Sequence, residues 1–527
     1  MTTHVLRWLV WGGVLFAGRF VLAAGIDLES ISIDEAQRRM GAGELTSVEL
    51  TQACLARIEA IDRAGPTLRS IIEVNPDALA IAAACDAERA VGRALGPLHG
   101  IPVLIKDNIA TADRMETTAG SLALVGARPA RDAGLVVQLR AAGAVILGKT
   151  NLSEWANFRG EHSVSGWSAR GGQTRNPHAL DRSPSGSSSG SAAAVAAGLC
   201  LVAVGTETDG SIVSPASHCG IVGVKPTVGL VSRAGIIPIS ISQDTAGPMA
   251  RTVRDAALLL AAMSGPDPAD AACAGRPADL TRDFAAALTP GALRGARLGI
   301  MRDAATFPPR TSRVLDDVLA ALRAAGAEIV DPVEAPAMEK ISAAEWEILC
   351  YEFKDGINAW FASLGPDARV KSLADLIAFN TAQADRELRF FDQEILVASQ
   401  AKGPLTDAAY LEAVTQARRL SRDEGIDAIL AKHRLDAIVM LTAGPAWLID
   451  PVNGDHFLGE TSTLAAVAGY PNVTVPAGAD FGLPIGVSFV GGAWTEARLL
   501  ALAADFEARA RVRRTPRFAA TVDTAAP

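Results

Sequence analysis

Three separated stretches carry residue types suited to nucleophilic catalysis. IPVLIKDN places Lys106 at the end of an apolar run, SPSGSSSGSAAAVAAG surrounds Ser187 with small residues, and GTETDGSIVSP sets Ser211 directly after Gly210. A serine hydroxyl attacks a carbonyl only when a base takes its proton and donors meet the developing oxyanion. A lysine amine serves as that base only if its pKa falls from about 10.4 toward neutrality, through burial and nearby donors. Glycine beside the serines permits close backbone approach. The run Ala192, Ala193, Ala194 is expected to start a tightly packed helix whose first N–H groups have no intrahelical partner. Each stretch alone reads as a Ser/Gly loop, a charged strand end or a turn, and it is their joint occurrence that chance explains poorly.

Other chemistries find less support. GAVILGKT, Gly143 to Thr150, matches a phosphate-binding loop letter for letter, yet the residues between its glycines are Ala-Val-Ile-Leu, which read as a strand and not as a loop that wraps phosphates. His4, His99, His162, His178, His218, His433 and His456 are scattered, with no HExxH spacing, so no metal site is expected. No GxSxG elbow occurs, and a Ser-His-Asp triad assembled from distant residues has no positive sign in the chain.

The elements that must position these residues can be traced by periodicity. LTSVELTQACLARIEAID reads as a helix: Thr46 and Glu49 form a capping box, Leu45 and Leu50 a hydrophobic staple, and Leu50, Cys54, Ile58 and Ile61 share a face. HGIPVLIKDNI is a short buried strand that ends at Lys106 and Asp107, where α/β proteins place chemistry. Asp132 to Ala142 reads as helix and AVILG as strand. ARLGI (296–300), the periodic Val314, Val318, Leu322 and Ala325, and AEIV (327–330) form a strand, helix, strand unit. Repeated units of this kind imply an α/β protein with a large mixed sheet covered by helices on both faces. Residues 340–400 read as mostly helical, a possible substrate-facing insertion.

The chain has 527 residues, 49% hydrophobic and 20% charged, enough for a substantial core. Its formal net charge of -9 gives no support to nucleic-acid binding. Residues 1–24 combine Arg7, an apolar run from Trp8 to Gly18 and small residues ending at Ala23 or Ala24, the pattern of a secretory signal peptide despite Arg19. Cleavage there would leave residues 25–527 as a single domain, periplasmic or secreted, with no stable membrane insertion. Six widely spaced cysteines make neither a redox motif nor a disulfide scaffold, and their pairing is left open.

The three stretches together resemble the amidase signature family, and HSVSGWSARGGQTRNPHALDRSPSGSSSGSAAA with GLVSRAGIIPISISQDTAGPMART is similar to its bacterial peptide amidases. The resemblance runs from the helix near Leu45 through GYPNVTVPAG to LPIGVSFVGG. It implies the amidase signature fold and a Ser-Ser-Lys triad: Ser211 as nucleophile, Ser187 as a bridging serine after a cis peptide at Gly186, and Lys106 as base. It further implies an oxyanion hole from the backbone amides of Thr208, Asp209, Gly210 and Ser211, with Ser188 supporting the loop. Asp107 and Asp209 are expected to orient donors near the pocket, whereas Lys225, Thr227 and Cys219 are expected to be structural. Two departures concern substrate: SGSSSG stands where GGSSGG is common, and Val213 stands where arginine is usual. The resemblance implies hydrolysis of a primary amide, of which the C-terminal amide of a peptide is the leading candidate, with no cofactor or obligate protein partner. A broad amidase or aryl acylamidase is the alternative. A role within a transfer-RNA amidotransferase is disfavoured by Val213 and the leader.

Overall fold

The computed structural model describes residues 25–366 and 368–524. The expected leader, residues 1–24, lies outside the described residues. Among those described, no helix is long and apolar enough to cross a membrane.

Eleven strands form one mixed sheet: β1 (Ile71–Val74), β2 (Pro102–Lys106), β3 (Val145–Thr150), β4 (Val202–Glu207), β5 (Val222–Lys225), β6 (Thr245–Ala250), β7 (Arg297–Ile300), β8 (Glu328–Val330), β9 (Ala437–Leu441), β10 (Asn472–Asp480) and β11 (Leu483–Val490). They lie side by side in the order β1-β3-β2-β4-β6-β5-β10-β11-β9-β7-β8. Strands β3, β2 and β4 run parallel, as do β9, β7 and β8, while antiparallel pairs occupy the middle of the sheet and the β1 edge. Every residue of β2, β3, β4, β5, β6, β9 and β11 is buried. Successive side chains of a strand point to opposite faces, so continuous burial means that both faces are covered.

The local signals explain the helices. Thr46 and Glu49 form the expected reciprocal cap of helix Ser47–Arg57, with Leu45 and Leu50 buried beside it. The predicted helix at 132–142 is shorter, Gly134–Ala141, because Asp132 turns its carboxylate to Ala112 N–H and Arg140 instead of entering the helix. Helix Pro309–Ala324 buries Val314, Val318 and Leu322 between β7 and β8 in the chain, as the periodicity requires. The segment after residue 337 is largely helical, led by the 26-residue helix Met338–Ser363. All six cysteines are buried free thiols.

The stretch that mimics a phosphate loop is strand β3. Lys149 is fully buried within it and donates to Ile109 O at 2.6 Å and Thr117 Oγ1 at 2.8 Å. No loop is free there to wrap a phosphate.

Candidate active site

Lys106 ends β2 and Glu207 ends β4, its parallel neighbour, so both chains leave the sheet at the same edge. That carboxyl edge is where open α/β sheets gather functional loops. Ser187 arrives on the loop that precedes helix Ser189–Ala196. All eight residues of this helix are buried, because their small side chains let it press against β2, β3, β4 and β6.

Lys106 Nζ lies 2.7 Å from Ser187 Oγ, 2.9 Å from Thr206 Oγ1 and 3.2 Å from Thr206 O. Asn108 Nδ2 donates to the same Thr206 hydroxyl at 3.0 Å. Lys106 is wholly buried, and burial pushes its pKa down to about 7, opposed by the more distant carboxylates of Asp244 and Glu207. A neutral amine fits these contacts: it donates two hydrogens to Thr206 O and Oγ1 and accepts the Ser187 hydroxyl proton with its lone pair. Thr206 and Asn108 were not singled out from sequence as site residues, although both lie inside the quoted motifs.

The peptide bond between Gly186 and Ser187 is cis. A Cβ on Gly186 would meet Ser153 Oγ at 2.2 Å and displace that hydroxyl from its bond with Gly166 N–H. Ser188 ties the two loops together as expected of a supporting residue. Its Oγ donates to Thr206 O at 3.0 Å and accepts from Thr206 N–H at 3.2 Å, and its own N–H donates to Ser211 O at 3.1 Å.

Thr208 to Ser211 form the turn after β4. Gly210 has φ +73°, and a Cβ there would stand 2.1 Å from Glu460 Oε1. Conformation and space therefore both demand glycine. The next amides are committed: Ile212 and Val213 donate to Glu207 Oε2 at 2.7 and 3.0 Å, and Ser214 donates to Gly210 O. Among the described residues, the N–H groups of 208 to 211 have no protein acceptor. Unpaired consecutive amides beside a hydroxyl are the donor arrangement an oxyanion needs. Val213, at the arginine position of the family pattern, is buried at the start of helix Val213–His218.

Ser211, Thr208, Asp209, Gly186 and Ser214 border a cavity of about 340 Å³. Ser187 and Lys106 do not border it themselves, but Ser187 follows Gly186, which does, and contacts Lys106 on its other side. Asp209 borders the cavity and accepts from Ser462 Oγ at 2.5 Å and Thr463 Oγ1 at 2.7 Å. Asp107 does not. It stands in the turn after β2, and its carboxylate gathers Thr118 and Gly120 N–H, with Arg170 at 3.6 Å. Lys225 donates to Pro226 O, Thr227 binds Glu496 and Trp494, and burial pushes the Cys219 thiol up, all in keeping with structural roles.

The cavity also holds groups that no local motif announces. Glu460 borders it, and Glu345 reaches the same region through Gln243 Nε2 at 2.7 Å. Burial, then repulsion from Asp209, holds both glutamates well above the usual carboxylate range. Thr208 Oγ1 donates to Asp244 at 2.6 Å, and burial raises Asp244 to about 6. Asp209, Glu345 and Glu460 come from segments more than 100 positions apart, so only the tertiary fold brings them together.

A chain with this sheet, this buried lysine-serine contact and this turn has clear relatives. The sequence pattern of the Amidase family matches residues 49–500. The native peptide amidase of Stenotrophomonas maltophilia is 55% identical over 93% of this chain and 99% of its own, with a TM-score of 0.88. A probable amidase of Arabidopsis thaliana is 40% identical across 96% of this chain and 94% of its own. A glutamyl-tRNA(Gln) amidotransferase component from Chloroflexus aurantiacus is 37% identical across 90% of this chain and 95% of its own. The chain belongs to the amidase signature family, serine-dependent hydrolases of C–N amide bonds.

Proposed function

We propose that this amidase hydrolyses primary amides, the C-terminal amide of peptides above all, to the acid and ammonia. The observation that carries the reading is the buried 2.7 Å contact between Lys106 Nζ and Ser187 Oγ, with Ser187 set between Gly186, which borders the cavity beside Ser211, and Ser188, whose N–H donates to Ser211 O. Neutral Lys106 takes the proton of Ser187, Ser187 takes that of Ser211, and Ser211 Oγ attacks the amide carbon. The oxyanion is met by the amides of Thr208 to Ser211, each such donor contributing about 3 kcal/mol. As the C–N bond breaks, Ser187 hands a proton to the nitrogen, which leaves as ammonia. Water then attacks the acyl-enzyme by the same relay, releasing the acid and restoring Ser211.

The cavity wall favours a neutral amide over an anionic one. Glu161, Asp209, Asp455 and Glu460 border it, and among the described residues no lysine or arginine does, His162 being the one basic side chain in the lining. Glutamine carries an α-carboxylate that would find no permanently charged partner there, which speaks against the amidotransferase reading. We also take residues 25–527 as one amidase domain with a substrate-facing segment at 340–400. In support, Leu349 of that segment borders the cavity and Trp346 packs on Phe158, another wall residue, with ring centroids 6.0 Å apart. Residues 1–24 are proposed as an export leader, which N-terminal sequencing of the secreted protein would test.

The test of function offers an amidated dipeptide beside an aromatic anilide and follows ammonia and product mass, with Ser211→Ala as control. Ammonia with the internal bond intact supports peptide amidase activity. Cleavage of the anilide alone transfers the assignment to aryl acylamidase, and full activity in Ser211→Ala overturns the nucleophile.

A further inference from the structure

The chain between Gly444 and Glu460 closes on itself through the Gly444 N–H to Gly459 O bond and stands as a wall beside the reactive cavity. Trp447 anchors it from within. Its Nε1 donates to Asp455 at 2.8 Å, its ring meets His218 and Phe457 edge-on, and its O accepts Ser183 N–H. Asp455 in turn receives Ser165 N–H. The wall is therefore fastened at its base on both sides.

A second cavity, of about 490 Å³, lies against the same wall, and the two cavities share Trp447, Asn453 and Asp455. Asn453 is exposed. Its Nδ2 donates to Asp450 Oδ2 at 2.7 Å, which leaves its Oδ1 available to accept an N–H. Three large apolar side chains stand in the open within ten residues: Leu448 at 51% exposure, Val452 at 85% and Phe457 at 47%. Phe457 borders the first cavity and Leu448 the second. Such a concentration on one short segment marks a contact surface. Because the two cavities share Trp447, Asn453 and Asp455, the occupant that fits the second is the remainder of the molecule whose amide lies in the first.

We propose that the second cavity binds the part of a peptide amide N-terminal to its amidated residue, the chain crossing the wall at Asn453 and resting on Leu448 and Val452. This deepens the peptide-amide reading and rests on it. Asn453 Oδ1 accepts a backbone N–H of the crossing peptide, a contact indifferent to side-chain identity. The apolar residues contribute area burial that a short amide cannot reach, so the surface rewards length and hydrophobicity beyond the first cavity.

The experiment compares N-acetyl-alaninamide with N-acetyl-tetraalaninamide, which share the reacting group and charge, by ammonia release from the wild type and the double variant Leu448→Asp, Val452→Asp. The wild type is expected to show at least a roughly tenfold higher kcat/KM on the longer amide, and the double variant to lose most of that ratio. A ratio near one in the wild type, or one that the double variant leaves intact, overturns the proposal. Binding of a fluorescein-labelled tetrapeptide amide to Ser211→Ala, with and without the two wall substitutions, reads the same surface without turnover. Ammonia from neither substrate would refute the peptide-amide reading. Weakening of the labelled peptide by the wall substitutions would then still support the surface, and unchanged or absent binding would reject it.

Discussion

Lys106 and Lys149 sit on neighbouring parallel strands, both fully buried, both pushed down by desolvation, to about 7 and about 8. Their surroundings differ. Lys149 donates to a carbonyl and to Thr117, with Asp107 nearby to favour its charge, and leads nowhere. Lys106 meets only neutral oxygens at contact distance, one of which is Ser187, and Gly186, the residue before Ser187, borders the cavity. Burial lowers the pKa of any lysine. A perturbed lysine becomes a base only when its lone pair faces a hydroxyl that can pass the proton on.

The same substitution at the two positions breaks the comparison most directly. Lys106→Met is expected to lower kcat roughly 10²- to 10⁴-fold, the usual contribution of a positioned base, with little change in melting temperature because Thr206 O keeps the Ser188 hydroxyl and Thr206 Oγ1 the Asn108 amide as donors. In the wild type, kcat/KM should rise with pH through about 7, because the relay needs the neutral amine and the amine loses its proton there. That rising limb should vanish in Lys106→Met, and its persistence would assign the base elsewhere. Lys149→Met reverses the pattern. It leaves Ile109 O and Thr117 Oγ1 buried with a lost partner, at about 1–3 kcal/mol, so thermal unfolding should move down while the folded enzyme keeps its kcat and its pH profile. A collapse of kcat in a well-folded Lys149→Met would erase the distinction between the two sites.

The smallest effect sharpens the comparison from the serine side. Ser188 links the Ser187 loop to Thr206 at the end of β4 and to Ser211, and it does not border the cavity. Ser188→Ala should cost about 1 kcal/mol of stability and lower kcat far less than Ser187→Ala, measured side by side on the same amide. Equal losses would mean that Ser187 acts as a loop strut and not as a proton carrier.

Much of this was legible in advance because it is local. The cap at Thr46 and Glu49, the apolar period of 314–322, the all-buried β2 and the small residues of 189–196 follow from nearest neighbours along the chain. The motifs around Lys106, Ser187 and Ser211 are also local, which is why the resemblance could name them. Asp107 shows the limit of adjacency. It follows Lys106 in sequence, but the chain turns after β2 and its carboxylate accepts from the Thr118 and Gly120 N–H groups. Glu345, Glu460, Asp244 and the 445–458 wall were out of reach for the opposite reason, since each gains its meaning from a partner far along the chain.

The sequence by itself determined which residues could form each strand, cap and glycine turn, because those preferences arise from steric and hydrogen-bonding rules within a few residues. Only the tertiary structure decided which of three buried lysines faces a serine, which carboxyls crowd the turn at 208–211 and which loop walls the cavity. Those outcomes depend on the order of strands across the sheet, and that order sets desolvation and contact between segments that local rules never compare.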